Sequence, residues 1–544
     1  MARRNDSPAS ISGMLRGSLL FYGHADRSRV LHPASNSHLD HFIAARKIVS
    51  LKISPKSQTK AEMLHAAKWS AAARVTNQGM SAVVTFLLAG LLGPEAFGTV
   101  ALAYLTVTFF EIIAGMGFNS ALVQNQRIND HHLNSVFWLN LALSSALMLL
   151  IWFGSGLFAA LAKAPEVQPI LGWLALLLPI QGLTVVQVAV MNRNMAFRAL
   201  AIRSTIAVMI GGVLGLTLAF LGFGVWALVA QHLVRELVSV LLLWGQSDWR
   251  PRMSFSWASV CELFNFAGKA VVGQFGTFFQ NQFDSIAIGL FLGPTALGLY
   301  RLAERLVELN LSLFPRALQS VSLSHFSRLQ HDHAELNRNF VFGVKLNSLG
   351  SFPGLAFLAG AGSLVLSVFG PEWGEAEGVM AMLAIVGMAK AIILFVGPTL
   401  QAVSQPGIVS IMTWAGAVAN ALAITAVATL LHEANDSVRM MGISFARVVV
   451  FCGFLTPIML LQIKRVTNLS LITVARAVLP SFLTAGIVFG SQYLIKLAGL
   501  WQYFSNAYIS LAAATSIALV IVVVATRSLD RPLWKSLITG LSER

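Results

Sequence analysis

Between residues 69 and 526 the chain is a near-continuous series of apolar stretches, separated by short polar or Gly-Pro breaks. About twenty apolar residues in an α-helix cross the hydrocarbon core of a bilayer. In that core every backbone N–H and C=O has to be paired within the protein, and a helix does this inside its own segment. The stretches fall near 69–92, 96–118, 136–161, 170–191, 199–222 and 224–245. A second series follows near 268–292, 296–320, 340–369, 376–402, 407–431, 438–462, 474–498 and 503–526. The expected fold is therefore an all-α polytopic membrane protein with about 14 transmembrane helices. Composition agrees, since 56% of the 544 residues are hydrophobic and 11% are charged, too little charge to coat a soluble protein of this size.

The net charge of +15 raises the question of a nucleic-acid partner. The basic residues, however, sit in an N-terminal tail and in short loops on alternate sides of the spans, not in an aromatic-interleaved patch. With the N-terminus in the cytoplasm, Arg127, Arg193, Arg198, Arg250, Arg252, Arg328, Arg338, Lys464 and Arg465 all fall inside. The opposite side keeps little beyond Lys163, Arg439 and Lys496. That asymmetry is the positive-inside rule, and an even span count puts both termini in the cytoplasm. No nucleic-acid partner is expected. Cys261 and Cys452 are far apart and carry no metal-ligand spacing. His131, His132, His325, His331 and His333 read as solvated loop residues, so no metal site is expected.

The chain also repeats itself. "LGPEAFGTVALA" at 92–103 aligns without a gap with "LGPTALGLYRLA" at 292–303, an offset of 200 residues with seven identities in twelve positions. Gly-Pro pairs suit tight turns between antiparallel helices, and here they join spans one and two and spans seven and eight. An even number of intervening spans makes the copies parallel, which predicts two six-helix bundles related by an axis along the membrane normal, with a pathway between them. The segments are then a basic cytoplasmic tail at 1–67 (with Met63 an alternative start), a first bundle at 68–245 and a cytoplasmic linker at 246–267. A second bundle at 268–463, two additional helices at 464–526 and a cytoplasmic tail at 527–544 complete the chain.

Polar groups inside the spans mark function, because a charge facing lipid at the helix centre costs roughly 2.5–3.5 kcal/mol even on the lenient insertion scale. Arg301, Glu304, Arg305 and Glu308 follow i, i+3, i+4, i+7 spacing and form one helical stripe. The stripe reads either as a lining of a polar lumen or as internal salt bridges. Arg74, Asn77, Glu111, Gln274, Asn281, Asp284 and Lys390 are further polar groups at depth, and the repeat offset places Arg74 opposite Gln274. Arg235, Lys345 and Arg447 lie nearer helix ends, where they are expected to snorkel toward water. Intramembrane cations outnumber acidic partners, which favours an anionic substrate, and a phosphate suits arginine forks. Substrate-binding cations are therefore assigned to Arg74, Arg301, Arg305 and Lys390, with Asn77, Glu111, Gln274, Asn281, Asp284, Glu304 and Glu308 in support. There is no G-x-x-x-x-G-K-[ST] loop and no large extracytoplasmic loop. No cofactor, ATP chemistry or enzymatic activity is expected.

Three stretches, "GLLGPEAFGTVALA", "GFGVWALVAQHLVRELVSVLLLW" (222–244) and "FNFAGKAVVGQFGTFFQNQFDSIAIGLFLGPTALGLYRLA" (264–303), resemble a known family. It is that of the polysaccharide and lipopolysaccharide flippases of the multidrug/oligosaccharidyl-lipid/polysaccharide exporter superfamily. The resemblance runs from about residue 65 to 410 and more loosely to the end. It implies a V-shaped pair of bundles in the bacterial inner membrane that open alternately to the two faces. The implied substrate is an undecaprenyl-pyrophosphate-linked repeat unit of an exopolysaccharide, capsule or O-antigen, with polymerase and chain-length proteins of the same pathway as partners. Coupling to H⁺ or Na⁺ is part of the same expectation. Related peptidoglycan-precursor flippases place essential cations in spans one and eight, where this chain carries Arg74, Arg301 and Arg305. A multidrug or cation antiporter on the same fold is the alternative; a membrane glycosyltransferase or polymerase is a third reading.

Overall fold

The computed structural model describes residues 60–125, 128–313, 322, 325–500 and 507–529, without the side chains of 60–75, 265–267, 269 and 313. The tail at 1–59, the residues beyond 529 and the side chain of Arg74 lie outside the described residues. Everything described is built from helices: α1 Lys60–Gly115, α2 Phe118–Gln124, α3 Asp130–Leu161, α4 Val167–Gly182, α5 Val185–Arg193, α6 Phe197–Phe220 and α7 Val225–Gln246. The second series is α8 Trp257–Phe291, α9 Pro294–Leu313, α10 His333–Gly360, α11 Pro371–Ala402, α12 Pro406–Leu430 and α13 Asp436–Thr467, followed by α14 Leu471–Leu497 and α15 Ala507–Leu529. Among the described residues ten helices are long and apolar enough to cross a membrane, or eleven if α4 and α5, bent by 41° at their junction, form one broken span. The chain is a multi-pass membrane protein.

Two helix starts are set by local sequence. α1 begins at Lys60, inside the segment assigned to the tail, because "KAEMLHAAK" is a run of good helix formers. The linker between α7 and α8 spans 247–256 and ends where Ser256 caps α8 by accepting from the Ser259 amide at 3.4 Å. That linker is knitted onto the start of α3. Asn134 accepts from the Arg252 amide at 3.0 Å and donates to Ser254 at 2.8 Å, Ser135 accepts from the Ser256 amide at 2.8 Å, and Trp138 donates to the Arg252 carbonyl at 2.9 Å.

The repeated Leu-Gly-Pro turns set the central geometry. Gly93 sits at φ 76° and Gly293 at φ 87°, conformations that favour glycine, and each breaks the chain just before its proline. Five residues after each turn glycine another glycine follows, Gly98 and Gly298, and these two pack against each other. A methyl group on Gly98 would overlap the Pro294 carbonyl, and one on Gly298 would overlap the Pro94 carbonyl. Small residues let membrane helices approach this closely, and the gain is dispersion and weak polar contact between backbones. Around the crossing, Leu102, Ala103, Leu297, Leu302 and Ala303 are buried in the main apolar core. On the same side Phe97 stacks edge-on against Trp373 at 6.2 Å and Phe86 against Phe369 at 5.4 Å. α14 is fixed to the second series by Ser348–Ser481 at 3.1 Å and by the Lys496–Glu377 ion pair at 2.5 Å.

Candidate functional site

Beneath the glycine crossing, α1, α7, α8 and α9 enclose a cavity of about 250 Å³. α9 delivers Arg301, Glu304, Arg305 and Glu308 to its wall, so the i, i+3, i+4, i+7 stripe lies on the face turned into the protein. α1 contributes Ser81 and Tyr104, and α7 contributes His232 and Arg235. Arg305 donates to Ser81 at 3.2 Å, across from the second series of helices to the first. Tyr104 and His232 stack with ring centroids 4.8 Å apart.

Behind this wall lies a buried ionic cluster. Asp284, Tyr300 and Arg447 are buried, and Arg447 donates to Asp284, to Tyr300 at 2.7 Å and to Glu304 at 3.2 Å. The Tyr300 hydroxyl donates to Asp284. Arg301 closes the chain by donating to Glu304 and to Gln282, both at 2.9 Å. Two carboxylates and two guanidinium groups thus balance, and a buried carboxylate needs that balance to stay ionised. The snorkelling expected of Arg447 is corrected here: its side chain is 1% exposed and turned inward, because Asp284 and Glu304 offer it partners that the bilayer edge does not. A π-helical turn at Val449–Leu455 follows directly and interrupts α13 next to the cluster.

A larger cavity of about 830 Å³ adjoins the first, and Gln282 and Glu308 line both. Its walls carry Gln274, Thr277 and Asn281 from α8, Lys390 from α11, and Thr413 and Trp414 from α12. The Lys390 ammonium donates to Asn281 at 3.4 Å and lies 5.2 Å from the Phe451 ring centroid. Of the residues singled out from sequence, Arg301, Arg305, Lys390, Gln274, Asn281, Glu304 and Glu308 come together at these two cavities. Others do not. Asn77 donates to Ser204 at 2.5 Å, Glu111 accepts from Gln181 at 2.7 Å, and Asp284 belongs to the ionic cluster, where it holds Arg447 and none of the four assigned cations.

Arg235, expected to snorkel, instead lines the smaller cavity, paired with Glu236 at 2.8 Å. The i, i+4 spacing of Gln231 and Arg235 is the signal that puts both on one face of α7. His132 is also corrected. It is buried at the start of α3, bonded to Asn129 at 2.6 Å and to Glu262 at 2.9 Å, because it occupies the third position of a capping box. Among the described residues there is no cluster of His, Cys, Asp and Glu that could hold a metal ion.

The chain is thus a helical membrane protein with an arginine-lined cavity between its helices. The polysaccharide biosynthesis protein family matches residues 87–377. The succinoglycan biosynthesis transport protein ExoT of Rhizobium meliloti (strain 1021) is 30% identical over 482 residues, 86% of this chain and 94% of that protein. The chain therefore belongs to the polysaccharide biosynthesis protein family. The lipopolysaccharide biosynthesis protein WzxC of Escherichia coli (strain K12) is 23% identical over 343 residues, 62% of this chain and 69% of that one. In fold, the structure is similar to the lipid II flippase MurJ in an inward closed conformation, with a TM-score of 0.69 at 14% identity over 85% of this chain and 99% of that one. It is also similar, at a TM-score of 0.50, 15% identity, 74% of this chain and 96% of that one, to an inward-facing multidrug resistance MATE transporter of the MOP superfamily.

Proposed function

We propose that this protein is a flippase that moves an undecaprenyl-pyrophosphate-linked oligosaccharide repeat unit across the bacterial inner membrane by alternating access. The polymer served is an exopolysaccharide, capsule or O-antigen. The observation that carries the reading is the meeting of Arg301 and Arg305 from α9 with Arg235 from α7 at one cavity wall, within a bundle of apolar helices. Guanidinium forks match the geometry of phosphate oxygens and stay charged when partly desolvated. In this reading the arginines, with Lys390 and Arg74, hold the pyrophosphate or acidic sugars. Glu304 holds Arg301 in place while the cavity is empty.

The reading includes a layout. Splitting α1 at Gly93, joining α4 with α5, and counting α8 and α9 as spans gives fourteen crossings: six before the linker, six after it, and α14 and α15 as an appendage. The reciprocal contact of Gly98 and Gly298 supports a parallel pseudo-repeat with an axis along the membrane normal. Both termini then face the cytoplasm, and polymerase and chain-length proteins of the pathway meet the product on the other side. Coupling to H⁺ or Na⁺ belongs to the same proposal. A drug or cation antiporter would need a lumen dominated by carboxylates, whereas three arginines outnumber two glutamates at the smaller cavity.

The test replaces Arg301 and Arg305 singly with Ala and Lys in cells that depend on this chain for polymer export. Polymer export and membrane protein level are measured together. The reading expects normal protein, lost export for Ala and partial export for Lys. Intact export in the Ala variants at normal protein level contradicts it.

A further inference from the structure

The two adjoining cavities differ in chemistry, and that difference divides the substrate between them. The smaller one is charged: three arginines and two glutamates line it. The larger one has only Lys390 and Glu308 as ionic groups, and the rest of its polar wall is amide and hydroxyl. On α8, Gln274, Thr277 and Asn281 follow i, i+3, i+7 spacing and make one uncharged polar stripe. On α12, Ser410, Thr413 and Trp414 follow i, i+3, i+4 spacing and face it from the other side. Gln274, Thr277 and Ser410 are exposed to the cavity although both helices are membrane spans or their neighbours. Amides and hydroxyls on a cavity wall can bond whatever fills it, and the side chains of Gln274, Thr277, Asn281, Ser410 and Thr413 lie on this one.

The Thr277 hydroxyl donates to Gly273 at 3.0 Å and that of Thr413 to Val409 at 2.9 Å. Each therefore presents its oxygen lone pairs to the cavity as acceptors. Trp414 is seated by a gap in α8: a methyl on Gly276 would lie 2.9 Å from the indole nitrogen. That close contact fixes one edge of the indole against the helix backbone while the residue remains in the cavity wall. A rigid aromatic surface beside planar amides and hydroxyl acceptors is what a pyranose ring needs. Its C–H face stacks on an apolar plane, and its hydroxyls both donate and accept. The volume, about 830 Å³, lies within the range of ~300–1,000 Å³ found for ligand pockets.

We propose that the larger cavity is a carbohydrate compartment. Trp414 stacks on a sugar ring, and Gln274, Thr277 and Thr413 hydrogen-bond its hydroxyls, while the arginine cavity takes the phosphates. This inference rests on the flippase reading and adds a division of labour to it. It makes Trp414 and Gln274 specificity-determining residues: they recognise the glycan and are indifferent to the lipid pyrophosphate.

The experiment uses full-length protein in lipid nanodiscs and two probes: the lipid-linked repeat unit extracted from the host, and bare undecaprenyl pyrophosphate. Binding of each is measured for wild type, Trp414→Ala, Trp414→Phe, Gln274→Ala and the Arg301→Ala/Arg305→Ala double variant. The compartment predicts that Trp414→Ala and Gln274→Ala bind the glycosylated probe about tenfold more weakly and the bare probe as wild type does. Trp414→Phe keeps a stacking surface and most of the affinity. The arginine variant loses both probes. If Trp414→Ala and Gln274→Ala leave the glycosylated probe unchanged, or weaken both probes alike while the arginine variant loses both, the compartment is wrong and the flippase reading stands. If wild type binds neither probe, both are wrong.

Discussion

Gly98 and Gly298 touch reciprocally, each lying where the other helix's proline carbonyl leaves no room for a side chain. Two copies of one sequence motif, 200 residues apart, thus meet at one crossing and hold α1 and α9 together above the arginine cavity. The turns at Gly93 and Gly293 aim both helices at this point.

Overpacking a close helix crossing costs about 1–3 kcal/mol. Gly98→Ala and Gly298→Ala should each destabilise the protein by that amount in thermal unfolding in detergent. Because both act on one contact, the double variant should lose less than the sum. Additive losses would mean that the two glycines do not share a contact.

The Arg447–Asp284 pair should behave as a buried ion pair. Removing one partner strands a charge and costs ~3–5 kcal/mol, whereas replacing both with neutral groups recovers part of the loss. Arg447→Met and Asp284→Asn should each lower the melting temperature, and the double variant should melt above either single one. Equal melting of wild type and single variants would contradict the burial of the pair.

Arg235 should matter as Arg301 does. Arg235→Ala should abolish or strongly reduce polymer export at normal protein level, with Arg235→Lys intermediate, measured as exported polymer per unit of membrane protein. Full export in Arg235→Ala would remove α7 from the site.

His132 and Glu262 form a contact with unequal partners, one buried and one exposed. His132→Ala should cost about 1–2 kcal/mol because it removes a buried ring and its part in the capping box. Glu262→Gln should cost less than about 1 kcal/mol, as exposed ion pairs do. Thermal unfolding of the two variants compares them directly, and equal losses would contradict the difference in burial.

Much of this arrangement was legible in the sequence because it is periodic or repeated. Apolar stretches of bilayer length mark the spans, the Leu-Gly-Pro copies mark the paired turns, and the spacing of Arg301, Glu304, Arg305 and Glu308 marks one helix face. What was hidden is long-range. Asp284 and Arg447 are 163 residues apart, and nothing local in either stretch announces the other, so a buried arginine reads as a snorkelling one. The environment of Arg235 is likewise set at long range, by α1 and α9. The bend between α4 and α5 carries no proline at its junction, Leu183–Thr184, and the apolar pattern runs on through it.

The central claim is that the arginine cavity carries a lipid-linked glycan from one leaflet to the other. The most direct measurement reconstitutes the purified protein into liposomes that hold the host's lipid-linked repeat unit in both leaflets, then adds membrane-impermeant periodate outside. With wild-type protein the inner-leaflet pool should also become oxidised, and with the Arg301→Ala/Arg305→Ala variant it should stay protected, as in protein-free liposomes. Protection of the inner pool in the presence of folded, reconstituted wild-type protein would contradict the account.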